Sequence, residues 1–158
     1  MSKTGDALEA LYAALVAKAG EPSPKIPEPL QNEDLPARLA EMGSDLEMLL
    51  NVWDDSEGDP EELLGADVIA DSYEITREVP VEFIVAGGTR EARRAAFEAG
   101  LEAIDDAITA DRTLGGTVDD ARMLAPRRNG SGLATDGMPN VLEAGIRIRL
   151  TFTSSRTF

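Results

Sequence analysis

The chain has 158 residues, the usual size of one domain, and 30 acidic against 15 basic residues give it a net charge of −15. It contains neither cysteine nor histidine, which excludes disulfides, thiolate metal sites and histidine-based acid–base catalysis. So negative a surface repels phosphate backbones and disfavours conventional nucleic-acid binding. Solubility, or a saline habitat, explains the acidity better than a functional use of the charge.

The first predicted element is a helix over Thr4–Ala19. Its apolar residues recur at the spacing of one helical face: Leu8, Leu11, Tyr12, Leu15, Val16 and Ala19. The stretch from Leu11 to Ala19 faintly resembles a signal peptide, but Asp6 and Glu9 break that charge pattern and favour a helix of the mature, cytoplasmically made protein. We expect no membrane contact, because no segment approaches the roughly 20 apolar residues of a membrane helix.

Prolines crowd residues 21–36, and we predict there an extended, proline-rich strap on the surface, with no helix. The alternative is that this segment is a proline-rich ligand to which a partner protein binds. Leu46–Trp53 follows as a predicted strand, although a helix fits so short a window too. We predict that Asp54–Glu62 is a solvated acidic turn. It is not a calcium loop, because the glycine and the glutamate that such a loop requires do not stand at the right positions.

The clearest predicted strand is Tyr73–Val85, in which apolar and polar residues alternate. The inward set is Tyr73, Ile75, Val79, Val81, Phe83 and Val85, and the outward set is Glu74, Thr76, Glu78 and Glu82. One buried and one wet face indicate an antiparallel or mixed sheet. Pro80 cannot donate to a ladder, which predicts an edge position or a bulge.

A second helix is predicted over Thr89–Ala110, with Thr89 as its N-cap. Its buried stripe is Phe97, Leu101, Ile104 and Ile108. Three arginines, Arg90, Arg93 and Arg94, lie at the positive end of the helix, against its macrodipole. Either these surface charges are loosely constrained, or they meet an acidic neighbour such as another subunit.

The remaining elements are a strand over Val118–Ala125, a flexible loop over Arg127–Asn140 and a last strand over Ile146–Thr153. Arg147 and Arg149 point outward from that strand and pair with the outward glutamates of Tyr73–Val85 if the two strands are neighbours. We therefore predict one α+β domain over residues 1–158, with both amphipathic helices on one face of a mainly antiparallel sheet of about four strands.

No residue set predicts catalysis, a cofactor or a metal. Gly87-Gly88-Thr89-Arg90 joins a strand to a helix N-terminus, a geometry that can bind anions, but it lacks the lysine and the spacing of phosphate-binding motifs. Two glycines there favour a plain turn. Acidic pairs such as Asp105-Asp106 and Asp119-Asp120 are expected by chance in so acidic a chain, and neighbours on a helix do not share one pocket.

The most specific string runs from Asp111 to Ala121 and reads Asp-Arg-Thr-Leu-Gly-Gly-Thr-Val-Asp-Asp-Ala. Physically it is a helix exit, in which Gly115 or Gly116 supplies a left-handed conformation. Following a long helix, it resembles the small tail terminator and tail completion (minor tail) proteins of long-tailed bacteriophages. The resemblance covers about Tyr73–Thr153 and the first helix, whereas residues 21–64 are longer and richer in proline than that family's pattern.

The resemblance implies a structural virion protein that forms a ring, usually hexameric, on the finished tail tube. Such a ring stops tube polymerisation and joins tail to head, so the implied partners are the protein itself, the tail tube protein and the head–tail connector, with DNA only as passing cargo. The implied origin is a phage, a prophage or a gene transfer agent, and the implied location is the bacterial host cytoplasm and then the virion tail. The family brings no catalytic residues.

Candidate subunit-interface residues are the clustered basic residues and the exit turn: Arg90, Arg93, Arg94, Arg112, Leu114, Arg127 and Arg128. Like-charged subunits repel, so an interface has to oppose the net charge locally. Two other classes of function stay open. One is a small, acidic, non-enzymatic binding module for a cationic protein partner, and the other, which we disfavour, is an enzyme that uses carboxylates alone.

Overall fold

A computed structural model of the chain describes residues 3–53, 73–129 and 140–154. Its elements, in chain order, are α1 (Lys3–Ala19), β1 (Leu30–Gln31), α2 (Leu35–Ala40), β2 (Glu47–Val52), β3 (Tyr73–Ala86), α3 (Arg90–Thr109), β4 (Asp120–Met123), β5 (Arg127–Asn129) and β6 (Val141–Ser154). The fold is α+β, as predicted. The predicted acidic turn at Asp54–Glu62 and most of the predicted loop, residues 130–139, lie outside the described residues.

The strands form one mixed sheet that is larger than the predicted four strands. Five of its six strands follow the order β1-β2-β3-β6-β4, and β5 pairs with β6 as well. β1 runs parallel to β2 and the other pairs are antiparallel. The long central pair is β3 with β6, in register from Tyr73 opposite Ser154 to Ala86 opposite Val141. The sequence pattern missed β1 and β5 because two or three residues are too short to show alternation.

Of the two alternatives predicted for Pro80, the bulge is wrong, since β3 keeps an unbroken register with β6. Although β3 lies between β2 and β6, Pro80 does lie at the edge of the ladder with β2. Pro80 is tolerated because it lies where the β2 ladder ends, one residue before the pair Val81–Val52. Its carbonyl still accepts a hydrogen bond from the Trp53 amide at 2.9 Å. The missing N–H of the proline therefore falls at the last position of that ladder.

The main core lies on the side of β3 that carries its odd-numbered apolar residues. α1, α3 and that side of the sheet contribute to one buried cluster, and α1 contacts α3. The Phe83 and Phe97 rings stack with centroids 5.9 Å apart. Gly100 makes room for this contact, because a Cβ on Gly100 would lie only 2.2 Å from Cζ of Phe83. Close approach of helix and sheet thus depends on a glycine in the middle of α3.

The prediction that residues 21–36 contain no helix is wrong at their C-terminal end, where α2 begins. Pro36 lies in the first turn of α2, a position at which no backbone N–H is needed. Leu35 and Leu39 bury a second, smaller core with Ile84 and Val141 on the other side of the sheet. The polar face predicted for β3 is therefore exposed to solvent along only part of its length.

Several contacts hold the rest of the proline-rich segment against the body of the protein. The Ile26 side chain is buried in the main core, and the Tyr12 hydroxyl donates a hydrogen bond to the Pro29 carbonyl at 2.8 Å. Farther along, the fully buried Asn51 side chain exchanges two 3.1 Å hydrogen bonds with the backbone of Glu33. These contacts connect the strap to α1 and to β2, which is how a chain poor in regular structure is fixed.

Candidate assembly surfaces

In the glycine turn before α3, the backbone amides of both glycines already donate within the chain, so neither is free to bind an anion. Gly87 and Gly88 adopt positive φ values of 76° and 64°. Their amides donate to the carbonyls of Asn140 and Ser44 at 3.1 and 3.0 Å. Thr89 caps α3, as predicted, by accepting from the Ala92 amide at 3.1 Å. The two glycines thus serve the turn, which is the interpretation that the sequence favoured.

Of the three arginines predicted at an interface on α3, one is engaged within the chain. Arg93 is 8% exposed, and its Nη1 donates to the carbonyls of Gly87 and Gly88 at 2.9 and 3.2 Å. It therefore stabilises the glycine turn. Arg90 and Arg94 are exposed, so an interface role for these two stays a prediction.

The exit turn after α3 is closed by its own side chains. Asp111 Oδ1 accepts from the Thr113 amide at 3.0 Å and the Thr113 hydroxyl at 2.6 Å, and Oδ2 accepts from the Gly115 amide at 2.9 Å. The Thr117 hydroxyl donates to the Leu114 carbonyl at 2.8 Å. Both predicted glycines adopt positive φ, 71° at Gly115 and 86° at Gly116. The string therefore encodes a specific helix-to-strand connection.

Two predicted interface residues of this turn have different surroundings. Leu114 has a φ of 47° and is buried in the main core, where it contributes to packing. The Arg112 side chain is 47% exposed, and its Nη1 lies 3.8 Å from Oδ1 of Asp120 on β4. Arg112 thus belongs to the surface next to β4, whereas Leu114 does not lie on the surface.

The turn predicts an acid-sensitive contribution to stability from Asp111. The Thr113 hydroxyl, together with the Gly115 and Thr113 amides, lowers the pKa of this carboxyl below its ordinary value of 3.8. A depressed pKa contributes stability above pH 3.8, and that contribution is lost as the pH falls through the lower folded-state pKa. We expect Asp111→Asn to lower the thermal midpoint at pH 7 and the difference from wild type to shrink below pH 3.8. Thermal melts from pH 2 to pH 7 check this, with Asp106→Asn as the control for loss of a surface carboxylate.

Four arginines share the wet face of the sheet, which we call the arginine face: Arg122, Arg127, Arg147 and Arg149. The predicted pairing of outward arginines with an outward glutamate is confirmed, because Glu78 accepts from Arg147 at 2.9 Å and from Arg149 at 3.0 Å. Arg122 lies directly opposite Arg149 on β6 and bonds Asp120 at 2.7 Å. The side chains of Arg122, Arg147 and Arg149 are 59%, 49% and 46% exposed.

Arg127 reaches this face through a bulge in the strand beside β6. β4 and β5 pair in succession with β6, but Met123 opposes Ile148 whereas Arg127 opposes Gly145, so one extra residue lies between the two pairings. Arg122 and Arg127 are five residues apart and would point to opposite faces of an unbroken strand. The extra residue returns Arg127 to the face of Arg122, as bulges beside strands do. The predicted loop over 127–140 thus begins as a strand, and Arg128 lies on it opposite Ala144.

The other side of the molecule carries an acidic surface on α3. Glu98, Glu102 and Asp105 lie on one helical face and are exposed. They form one wall of a groove of about 370 Å³, whose lining also includes Leu101, Met123 and Pro126. After Arg94, the rest of α3, residues 95–109, contains no lysine or arginine. The arginine face, in contrast, is mixed in charge, because Glu74, Glu78, Glu82 and Asp120 lie on the same face of the sheet as the four arginines.

Within the described residues, no group of three or more acidic side chains is arranged to hold a metal ion. In the same part of the chain, none of the helices combines the length and the apolar character that a membrane crossing requires. No family model matches the sequence, and a search of curated proteins finds no match.

Proposed function

We propose that this protein is a structural subunit of a phage-like tail, which assembles into a ring, caps the tail tube, stops its polymerisation and joins the tail to the head. The observation that carries the proposal is the string that resembles tail terminator and tail completion proteins. Asp111, Thr113, Leu114 and Thr117 bond partners inside this string. These hydrogen bonds require one particular backbone geometry, so the string supports a shared fold and does not indicate a ligand.

The partners in this role are further copies of the chain, the tail tube protein and the head–tail connector, while DNA only passes through the ring. The role is non-enzymatic and needs no cofactor. A chain without histidine or cysteine lacks the side chains that most hydrolytic and redox sites use. The source would be a phage, a prophage or a gene transfer agent, and the subunit would move from the host cytoplasm into the virion tail.

The layered arrangement that we propose suits such a ring. Both long helices would lie on one face of the sheet, since Leu11 and Leu15 of α1 and Ile104 and Ile108 of α3 share one core cluster. The opposite face would then be open for contacts beyond the part that α2 covers. Two distinct sides on one subunit are what head-to-tail assembly around a ring requires.

A second candidate function is a binding module for a cationic protein partner. The acidic groove on α3 favours it, because Glu102 and Asp105 flank an apolar floor that would accept the stem of a lysine or arginine. In that case the protein would be a monomer that binds the partner one to one.

Light scattering during size-exclusion chromatography separates the two candidates. We expect the purified protein to reach a mass of several subunits at micromolar concentration, and we expect added tail tubes to favour the ring. Assembly should depend on salt, because repulsion between acidic subunits reaches about 30 Å at 0.01 M ionic strength. A strict monomer at every concentration and salt level, with tail tubes present as well, would rule out the ring.

A further inference from the structure

We propose that the groove between α3 and the end of β4 binds an extended, basic segment of a partner protein, which adds main-chain hydrogen bonds to the edge of the sheet. The inference deepens the second candidate function and rests on it for the cationic character of the partner. It does not depend on the ring, because one copy contains the whole groove. Extended segments that dock on a strand edge gain affinity from main-chain hydrogen bonds and specificity from alternate side chains.

One wall of the groove is the main chain at the end of β4. Four successive residues line it, Met123, Leu124, Ala125 and Pro126, so backbone groups face the groove as well as side chains. The Leu124 amide donates to the Arg147 carbonyl of β6 at 2.9 Å, and the backbone groups of successive strand residues point to opposite sides. The N–H and C=O of Met123 therefore point away from β6. No strand pairs with that side of β4 in the described part of the chain, so the two groups face an open edge.

The open edge is short, and its limits set the size of the added segment. Ala121, the preceding residue whose backbone points the same way, is completely buried. Beyond Met123, the bulge interrupts the ladder with β6, and Pro126 has no N–H to donate. A partner strand therefore pairs with Met123 alone and needs only about three extended residues. A short edge that ends in proline also resists indiscriminate strand pairing, so side chains in the groove have to select the partner.

The floor and the opposite wall of the groove determine which side chains enter it. The floor is apolar and consists of Leu101, Met123 and Pro126. Glu102 and Asp105 of α3 are exposed on the opposite wall, and none of the described lining residues is basic. A lysine or arginine suits this combination, because its aliphatic stem covers the floor while its charged head reaches the carboxylates. In an added strand, the residue that pairs with Met123 is also the one whose side chain enters the groove.

Peptide binding to the full-length protein, measured by fluorescence anisotropy, tests the acidic wall. The probe is a fluorescein-labelled nonapeptide of alternating lysine and threonine, and the reference has glutamate in place of lysine. We expect only the lysine peptide to bind, and Glu102→Gln/Asp105→Asn to weaken it about three- to tenfold, as two exposed ion pairs would. Glu98 stays unchanged, because it already has a partner within the chain.

The matched control is Glu91→Gln/Asp106→Asn, which removes the same charge from exposed positions of α3 that do not line the groove. At 0.15 M salt, where the Debye length is about 8 Å, this variant should bind within about twofold of wild type. Circular dichroism melts verify that both variants fold. Equal losses in the two variants would mean that the peptide senses only the net charge, which overturns the groove as its site.

The main-chain contact has its own test, in which the charge of the peptide stays constant. Methylating three lysine amides removes the donors that face Met123, whereas methylating three threonine amides removes donors that face away from it. We expect the first peptide to bind at least about fivefold more weakly than the second, because hydrogen bonds to the edge are then lost. Equal affinities would overturn the strand addition and leave the acidic groove.

Light scattering on the same samples keeps the groove and the ring apart. A protein that assembles but does not distinguish the lysine peptide from the glutamate peptide would retain the ring and overturn the groove. A monomer that binds the lysine peptide as described would retain the groove without the ring. Oligomers that dissociate as the peptide binds would identify another copy as the natural occupant, which overturns the separate partner.

Discussion

Replacing Phe83 with alanine is expected to destabilise the protein by about 3–5 kcal/mol. The side chain is fully buried, it stacks on Phe97 with centroids 5.9 Å apart, and its ring approaches Gly100 of α3. Removing it takes away a contact that joins the C-terminal part of β3 to the middle of α3. The surrounding core can collapse only partly, so a cavity adds to the lost transfer free energy. Urea denaturation monitored by far-ultraviolet circular dichroism measures the loss.

Two further variants separate the cavity from other effects. Phe83→Leu keeps most of the volume and should cost clearly less than Phe83→Ala. Adding Gly100→Ala to Phe83→Ala should recover part of the loss, because the new methyl group enters the vacated space and alanine is about 1 kcal/mol better than glycine inside a helix. A loss below about 1 kcal/mol for Phe83→Ala would contradict the packing described for this core.

Gly87→Ala is expected to cost more than about 2 kcal/mol, through two effects that act together. The residue has a φ of 76°, which L side chains rarely adopt, and its Cβ would lie 2.1 Å from the Asp45 carbonyl oxygen. Backbone on both sides would have to move, and the Arg93 hydrogen bonds to this turn would be disturbed. Thermal and urea denaturation measure the change in the free energy of unfolding.

Gly115→Ala is the matched control for this substitution. Gly115 has a similar φ of 71°, but nothing lies within 4 Å of its Cβ position. Alanine there bears the left-handed strain alone, about 1–2 kcal/mol. The difference between the two variants therefore measures the clash with Asp45. Equal losses would mean that β2 and its preceding loop yield freely to the new side chain, contrary to the close approach of the two backbones.

The sequence pattern alone predicted the long elements of this fold. α1, β3, α3 and the C-terminal half of β6 each span several periods of their apolar pattern, and the period of 3.6 or 2 residues identifies the element. Thr89 as N-cap and the two glycines of the exit turn were predictable as well, because local hydrogen bonds and positive φ depend on neighbours in the chain. The pairing of Glu78 with Arg147 and Arg149 followed once two adjacent strands were assumed.

Only the tertiary structure determined the short elements and, above all, which side chains share a surface. Helix α2 and strands β1 and β5 are shorter than two pattern repeats and form because the sheet and its second core offer them partners. Arginine usually lies on the surface, yet the Arg93 side chain is buried because it donates hydrogen bonds to the carbonyls of the glycine turn. Arg122 and Arg127 share a face because one extra residue enters the strand between them. A bulge is a relation between two strands, so the periodicity of one segment could not reveal it.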